Sequence, residues 1–123
     1  DSLEVLADAQ QMQQVFLNIL LNAIQAMPRG GTVTLRTFLE PPLLPWAGAR
    51  VEIADTGNGI PAEYLHRVFD PFFTTRERGT GLGLSVSRRI VAAHGGELGV
   101  ESQKGRGTRF TIRLPMSPQG RAA

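Results

Sequence analysis

Between residues 12 and 27 apolar side chains recur every third or fourth position: Met12, Val15, Phe16, Ile19, Ala23, Ile24 and Met27. Only a helix of about five turns brings them to one side. Asp8 occupies the N-cap position, and Pro28 with the Gly30-Gly31 pair ends the run. A helix with one apolar face needs a second layer to cover that face. The remaining sequence supplies it. A short alternating strand is predicted at Leu3, Val5 and Ala7, and another from Thr32 to Leu39 with Val33, Leu35, Thr37 and Leu39 on one face. Arg50 to Asp55 reads as a strand turning Val51 and Ile53 inward. Glu97–Ser102 and Thr108–Leu114 are two more, joined by a turn holding Gly105 and Gly107. A second helix runs from about Leu82 to His94, with Leu84, Val86, Ile90, Val91 and Ala93 as its stripe and Gly95-Gly96 as its stop. One short helix is expected after Pro61, and a proline-rich loop, pinned by Trp46, from Pro41 to Gly48. Five strands and three helices in mixed order predict an α/β two-layer sandwich.

A chain of 123 residues, 41% hydrophobic, fills one such domain and no more. The expected division is a domain over residues 1–114 and a mobile tail over 115–123, which lacks periodicity. Opening on Asp1 rather than Met suggests a piece of a longer protein. The sequence holds no cysteine and two isolated histidines, His66 and His94, which exclude thiol chemistry and disfavour a metal centre held by side chains alone. No apolar run reaches the roughly 18 residues of a membrane span. Lys104 is the single lysine among 13 basic residues and does not stand in a GxxxxGK[ST] loop, so a nucleotide would be held without a dedicated lysine. Residues 1–73 carry four arginines against eight carboxylates, whereas residues 74–123 carry nine basic groups against three acidic. The basic groups are scattered rather than clustered. That disfavours nucleic acid and suits an anionic ligand or an acidic partner.

Three segments carry residue types suited to chemistry. Opposite the apolar face of the long helix, Gln11, Gln14, Asn18, Asn22 and Gln25 fall in one stripe. A solvated helix face is usually Glu, Lys and Arg. Asparagine is a poorer helix former, so two of them at i, i+4 in mid-helix call for compensation. Amide oxygens suit a hard cation and amide N–H groups suit phosphate, although a merely polar face is the simpler alternative. Second, Asp55-Thr56-Gly57-Asn58-Gly59-Ile60-Pro61 follows directly on a strand. It places an acceptor beside backbone that a flat ligand can approach, or else simply closes the strand in a turn. The triplet Asp-Thr-Gly also occurs in aspartic proteases. Third, Gly79-Thr80-Gly81-Leu82-Gly83-Leu84 leads into the second helix, freeing N–H groups where the helix start favours an anion. Between the last two lies Phe69-Asp70-Pro71-Phe72-Phe73-Thr74-Thr75, followed by Thr75–Gly81, whose glycines and charges suit a lid.

The order of these motifs is very similar to the ATP-binding catalytic domain of sensor histidine kinases, which share a fold with type II topoisomerase, heat-shock chaperone and mismatch-repair ATPases. The correspondence spans residues 5–114. It implies a mixed β-sheet backed by three helices, with ATP between helices and sheet under a flexible lid. Asn18 and Asn22 match the positions that hold Mg²⁺ and the phosphates. Asp55 matches the acceptor of the adenine amino group, in a pocket shaped by Gly57 and Gly59 and extended by Ile60. Phe69, Phe72 and Phe73 match the aromatic box, with Phe69 and Thr75 expected to contact the nucleotide. Gly79, Thr80, Gly81, Leu82, Gly83 and Leu84 match the last glycine motif at the triphosphate, and Thr108 the threonine that reaches adenine through water. Arg76 stands in the lid where relatives often carry lysine, as an expected phosphate contact.

The resemblance further implies transfer of the γ-phosphoryl group to a histidine on a separate dimerisation and phosphoacceptor domain of the same parent protein, and onward to a response regulator receiver domain. Such a domain works in the cytoplasm, touching neither membrane nor nucleic acid, even where its parent is membrane-anchored. Where the topoisomerase and chaperone branches use a glutamate to activate water, this chain has Asn18, which cannot take a proton, so hydrolysis is expected to be slow. Neither His66-Arg67 nor His94-Gly95 looks like the phosphoacceptor. A first strand and helix of longer family members would lie upstream of Asp1. Two other classes compete: a dimeric aspartic protease, which would be nearly all β, and an ATP-dependent regulatory module or anti-sigma-type serine kinase on the same fold.

Overall fold

The computed structural model describes residues 7–40, 48–73 and 83–115. Helix α1 spans Ala9–Gln25, strand β1 Val33–Glu40 and strand β2 Gly48–Asp55. A 3₁₀ helix over Ala62–Arg67 follows, then α2 over Gly83–Ala93, β3 over Glu97–Gln103 and β4 over Gly107–Pro115. The expected strand at Leu3 and Val5, the loop around Trp46 and the tail from 116 onward lie outside the described residues.

Asp8 caps α1 as its position predicts: its Oδ1 accepts the Gln11 N–H at 3.0 Å. Asp8→Ala is expected to cost about 1 kcal/mol of stability, read as a lowered midpoint in thermal unfolding. The start of α1 is also tied to the end of α2. The Asp8 N–H donates to His94 Nε2 at 3.0 Å, while His94 Nδ1 donates to the Ile90 carbonyl at 2.8 Å. Both ring nitrogens are thus engaged in structure, Nε2 as acceptor and Nδ1 as donor.

The four described strands form one sheet in the order β1-β2-β4-β3, antiparallel at every pair. Among the described residues the sheet is antiparallel throughout, for a topological reason. The path through the helices does return from β2 to a strand of the same direction, β3. However, β4 folds back as a hairpin from β3 and inserts between the two, so each pairs with β4 instead. The helices lie on one face, giving the two-layer α/β sandwich. Helix α1 packs on β2 and α2, and α2 on β3 and β4. Met12, Val15 and Ile19 of α1 meet Val91 of α2 and Ile53, Leu98, Phe110, Ile112 and Leu114 of the sheet. Burying a side chain of this size contributes about 1.5–3 kcal/mol.

One apolar expectation needs correction, and one shared face proves open. Ile24, assigned to the packed face of α1, is 60% exposed, and Leu35 and Leu39 of β1 are 56% and 65% exposed. The physical reason is coverage: α1 sits over β2, so no helix among the described residues lies above the helix-side face of β1. Leu17 and Leu21, on the same flank of α1 as Ile24, are exposed beside it.

Candidate functional site

Asp55 ends β2, buried, and its Oδ1 accepts the Gly57 N–H at 2.8 Å in a tight turn. The antiparallel register places Thr108 of β4 directly opposite Asp55. Directly opposite residues share a face, so both side chains lie on the helix side of the sheet, in line with Ile53 and Phe110. The two residues lie more than fifty positions apart in the sequence.

The loop beyond Asp55 is fastened on both sides. A Cβ on Gly57 would stand 2.4 Å from the Ala26 carbonyl oxygen, so only glycine permits that approach to the end of α1. The Asn58 N–H donates to the same carbonyl at 3.0 Å. Gly59 has φ +73°, and a Cβ there would meet the Gln103 carbonyl at 2.1 Å. The Ile60 N–H donates to Ser102 Oγ at 2.7 Å, and Ser102 Oγ donates to the Gly107 carbonyl at 2.8 Å and lies 2.9 Å from Thr108 Oγ1. Ser102 thereby joins the Asp55 loop to Thr108. It was not singled out from the sequence, where a serine near a strand end carries no distinguishing signal.

The amide of Asn18 reaches the second helix. Its Nδ2 donates to the Gly83 carbonyl at 3.0 Å and to Ser87 Oγ at 3.1 Å, while its Oδ1 accepts from Gln14 Nε2 at 2.8 Å. Ser87 is fully buried and donates to the Gly83 carbonyl at 2.8 Å. Here the sequence did hold an unused signal: Ser87 interrupts the apolar stripe between Leu84 and Val91, and a buried hydroxyl requires a partner. Asn22 is half-buried one turn further along the same stripe. Along α1, therefore, the Asn18 amide faces the last glycine of the glycine motif, and eight residues on, about 12 Å along the axis, Ala26 holds the Asp55 loop.

Of the aromatic segment, Phe69 packs against the core, edge to face with Phe110 at 6.4 Å between centroids and with the Arg88 guanidinium 4.5 Å over its ring. Phe73 stacks between Tyr64 and Arg67. Phe72 differs: it is 72% exposed and held at φ 68°, a left-handed conformation costly for a bulky residue. Leu84 packs against the core cluster. Thr75, Arg76, Gly79, Thr80, Gly81 and Leu82 lie outside the described residues. Among the described residues no three histidine or carboxylate side chains gather as a metal site, and no helix is long and apolar enough to cross a membrane. The protease alternative fails on architecture, since helices form a whole layer here and Asp-Thr-Gly closes a turn against one of them.

Residues 7–118 match the family described as histidine kinase-, DNA gyrase B- and HSP90-like ATPases. Sporulation kinase C of Bacillus subtilis is 42% identical over 94% of this chain and 26% of its own length. Sensor histidine kinase ZraS of Escherichia coli is 43% identical over 95% of this chain and 25% of its own length. The chain thus spans about a quarter of these relatives. Among solved structures, mycobacterial sensor histidine kinase MprB superposes with a TM-score of 0.80 at 34% identity, covering 92% of this chain and 77% of that one. Full-length ShkA in complex with AMPPNP gives 0.79 at 32% identity, covering 94% of this chain and 24% of that one. With its two-layer architecture and the Asn18–Gly83 and Asp55–Thr108 junctions, the chain belongs to the histidine kinase-, DNA gyrase B- and HSP90-like ATPase family, as a catalytic domain of the sensor histidine kinase type.

Proposed function

We propose that this domain binds Mg-ATP and passes the γ-phosphoryl group to a histidine on a separate phosphoacceptor domain of its parent protein. The observation that carries the reading is the convergence on α1: the Asn18 amide facing the glycine motif in mid-helix, and the buried Asp55–Thr108 pair at its end. Asp55 accepts the adenine amino group, Gly57 and Gly59 let the base approach, and Asn18 and Asn22 meet the triphosphate. A neutral imidazole nitrogen attacks the γ-phosphorus, the bond to the β,γ-bridging oxygen breaks, ADP leaves, and the imidazole gives up its proton. No general base is required of this domain, because catalysis here is positioning. AMPPNP, bound by the structural relative ShkA, is an ATP analogue, which supports the choice of nucleotide.

Magnesium fits the donor set. Amide oxygens are hard donors, and Mg²⁺ is commonly held by one or two protein groups together with substrate phosphates and water. Asn18 Oδ1 accepts one hydrogen bond, from Gln14, and a carbonyl oxygen has a second lone pair. When bound, the ion would neutralise charge on the phosphate oxygens.

Exposed Phe72 is the proposed contact for the phosphoacceptor domain, with a receiver domain taking the phosphoryl group afterwards, in the cytoplasm where ATP is available. The bare apolar flank of α1 and β1 is the proposed seat of the further strand and helix of longer relatives. Calorimetry with ATP, followed by γ-labelled ATP and the parent's phosphoacceptor domain, tests the reading. Acid-labile label on histidine is expected. A domain that ignores adenosine nucleotides with and without magnesium overturns it.

A further inference from the structure

Asn18 has an amide whose two ends look alike in shape but not in chemistry. If its oxygen is to face a cation or its nitrogen a phosphate, something must decide which end points where. The Gly83 carbonyl is an acceptor only, so the amide nitrogen must face it. The single Ser87 hydroxyl proton is committed to that same carbonyl, so towards Asn18 the hydroxyl can only accept. Both N–H groups of Asn18 are thereby used, and on the other side Gln14 Nε2 donates to Oδ1. Rotating the amide by 180° would set oxygen against the Gly83 carbonyl and nitrogen against the Gln14 donor. The oxygen-to-carbonyl contact would be repulsive, and the flipped amide would be met only if Ser87 gave up its bond to Gly83 and Gln14 turned as well.

We propose that Ser87 and Gln14 are positioning residues that lock the sense of the Asn18 amide, turning its carbonyl oxygen to the metal ion of the bound nucleotide. This rests on the nucleotide reading above and goes beyond it, since that reading gives no role to Ser87 and places Gln14 only on the polar stripe of α1. The clamp also registers α1 against the last glycine of the glycine motif, because the Gly83 carbonyl is shared by both side chains. Ser87 is buried in the helix interface and cannot touch the nucleotide, and Gln14 is a full turn away on the exposed side. Both act through Asn18.

The affinity of the chain for ATP with Mg²⁺, for ATP with EDTA and for adenosine separates this role from a merely structural one. Ser87→Ala is expected to weaken Mg-ATP binding roughly 2- to 12-fold, the value of one neutral hydrogen bond, with adenosine and metal-free ATP unaffected. Gln14→Ala is expected to act in the same direction, about two- to threefold at its exposed site. In an Asn18→Ala background, Ser87→Ala is expected to add nothing to the magnesium dependence. Equal losses for all three ligands, or no loss, overturn the proposal. If Ser87→Ala does not fold, Gln14→Ala decides alone, and a lack of selective loss there overturns it. A wild-type chain that binds none of the three removes the nucleotide reading instead, and this inference with it.

Discussion

Replacing Asp55 by alanine is expected to weaken ATP binding between ten- and 150-fold, corresponding to about 1.5–3 kcal/mol for a hydrogen bond to a charged group. The carboxylate has two duties. One oxygen holds the Gly57 N–H and so the turn, while the group as a whole is the proposed acceptor for the adenine amino group. Asp55→Asn separates them. Its amide oxygen can still hold Gly57, so the turn and the thermal midpoint should change little, but its NH₂ opposes the donor of the base. Isothermal titration with ATP should therefore show large losses in both variants, with a clear drop in melting temperature only in the alanine one. An asparagine variant that binds ATP normally would remove Asp55 from the adenine site.

Much of the local structure of the candidate site was legible in the sequence because its parts are local. A capping aspartate, a helix-period stripe with two amides, and glycines that allow close backbone approach each leave their mark within ten residues. What periodicity could not show was which strand lies beside which. Nothing in residues 107–115 says that they insert between β2 and β3, so periodicity left the strand order open. The exposure of Leu35 and Leu39 has the same origin. Alternation fixes which face of β1 they occupy, whereas coverage of that face depends on where α1 crosses the sheet. Ser87 lies between these cases: its polarity on an apolar stripe was visible, but its partner 69 residues away was not.

The same long-range pairing makes Phe110 the most consequential core position. It is 1% exposed, sits on the strand that holds the sheet together, and meets Phe69 edge to face below α1. Phe110→Ala should cost about 3–5 kcal/mol, from lost transfer energy and the cavity left behind. In a domain whose whole stability is on the order of 5–15 kcal/mol, that removes a large share. At roughly 4 °C per kcal/mol for this size, the unfolding midpoint should fall by about 12–20 °C. Because Thr108 lies two residues along the same strand and Ile53 opposite, the cavity opens next to the Asp55–Thr108 pair. Nucleotide should then partly rescue the variant, since a ligand that binds only the folded state stabilises it by mass action. Thermal unfolding with and without ATP checks both parts: a midpoint within 3 °C of wild type would show that β4 is not the packing centre of the sheet.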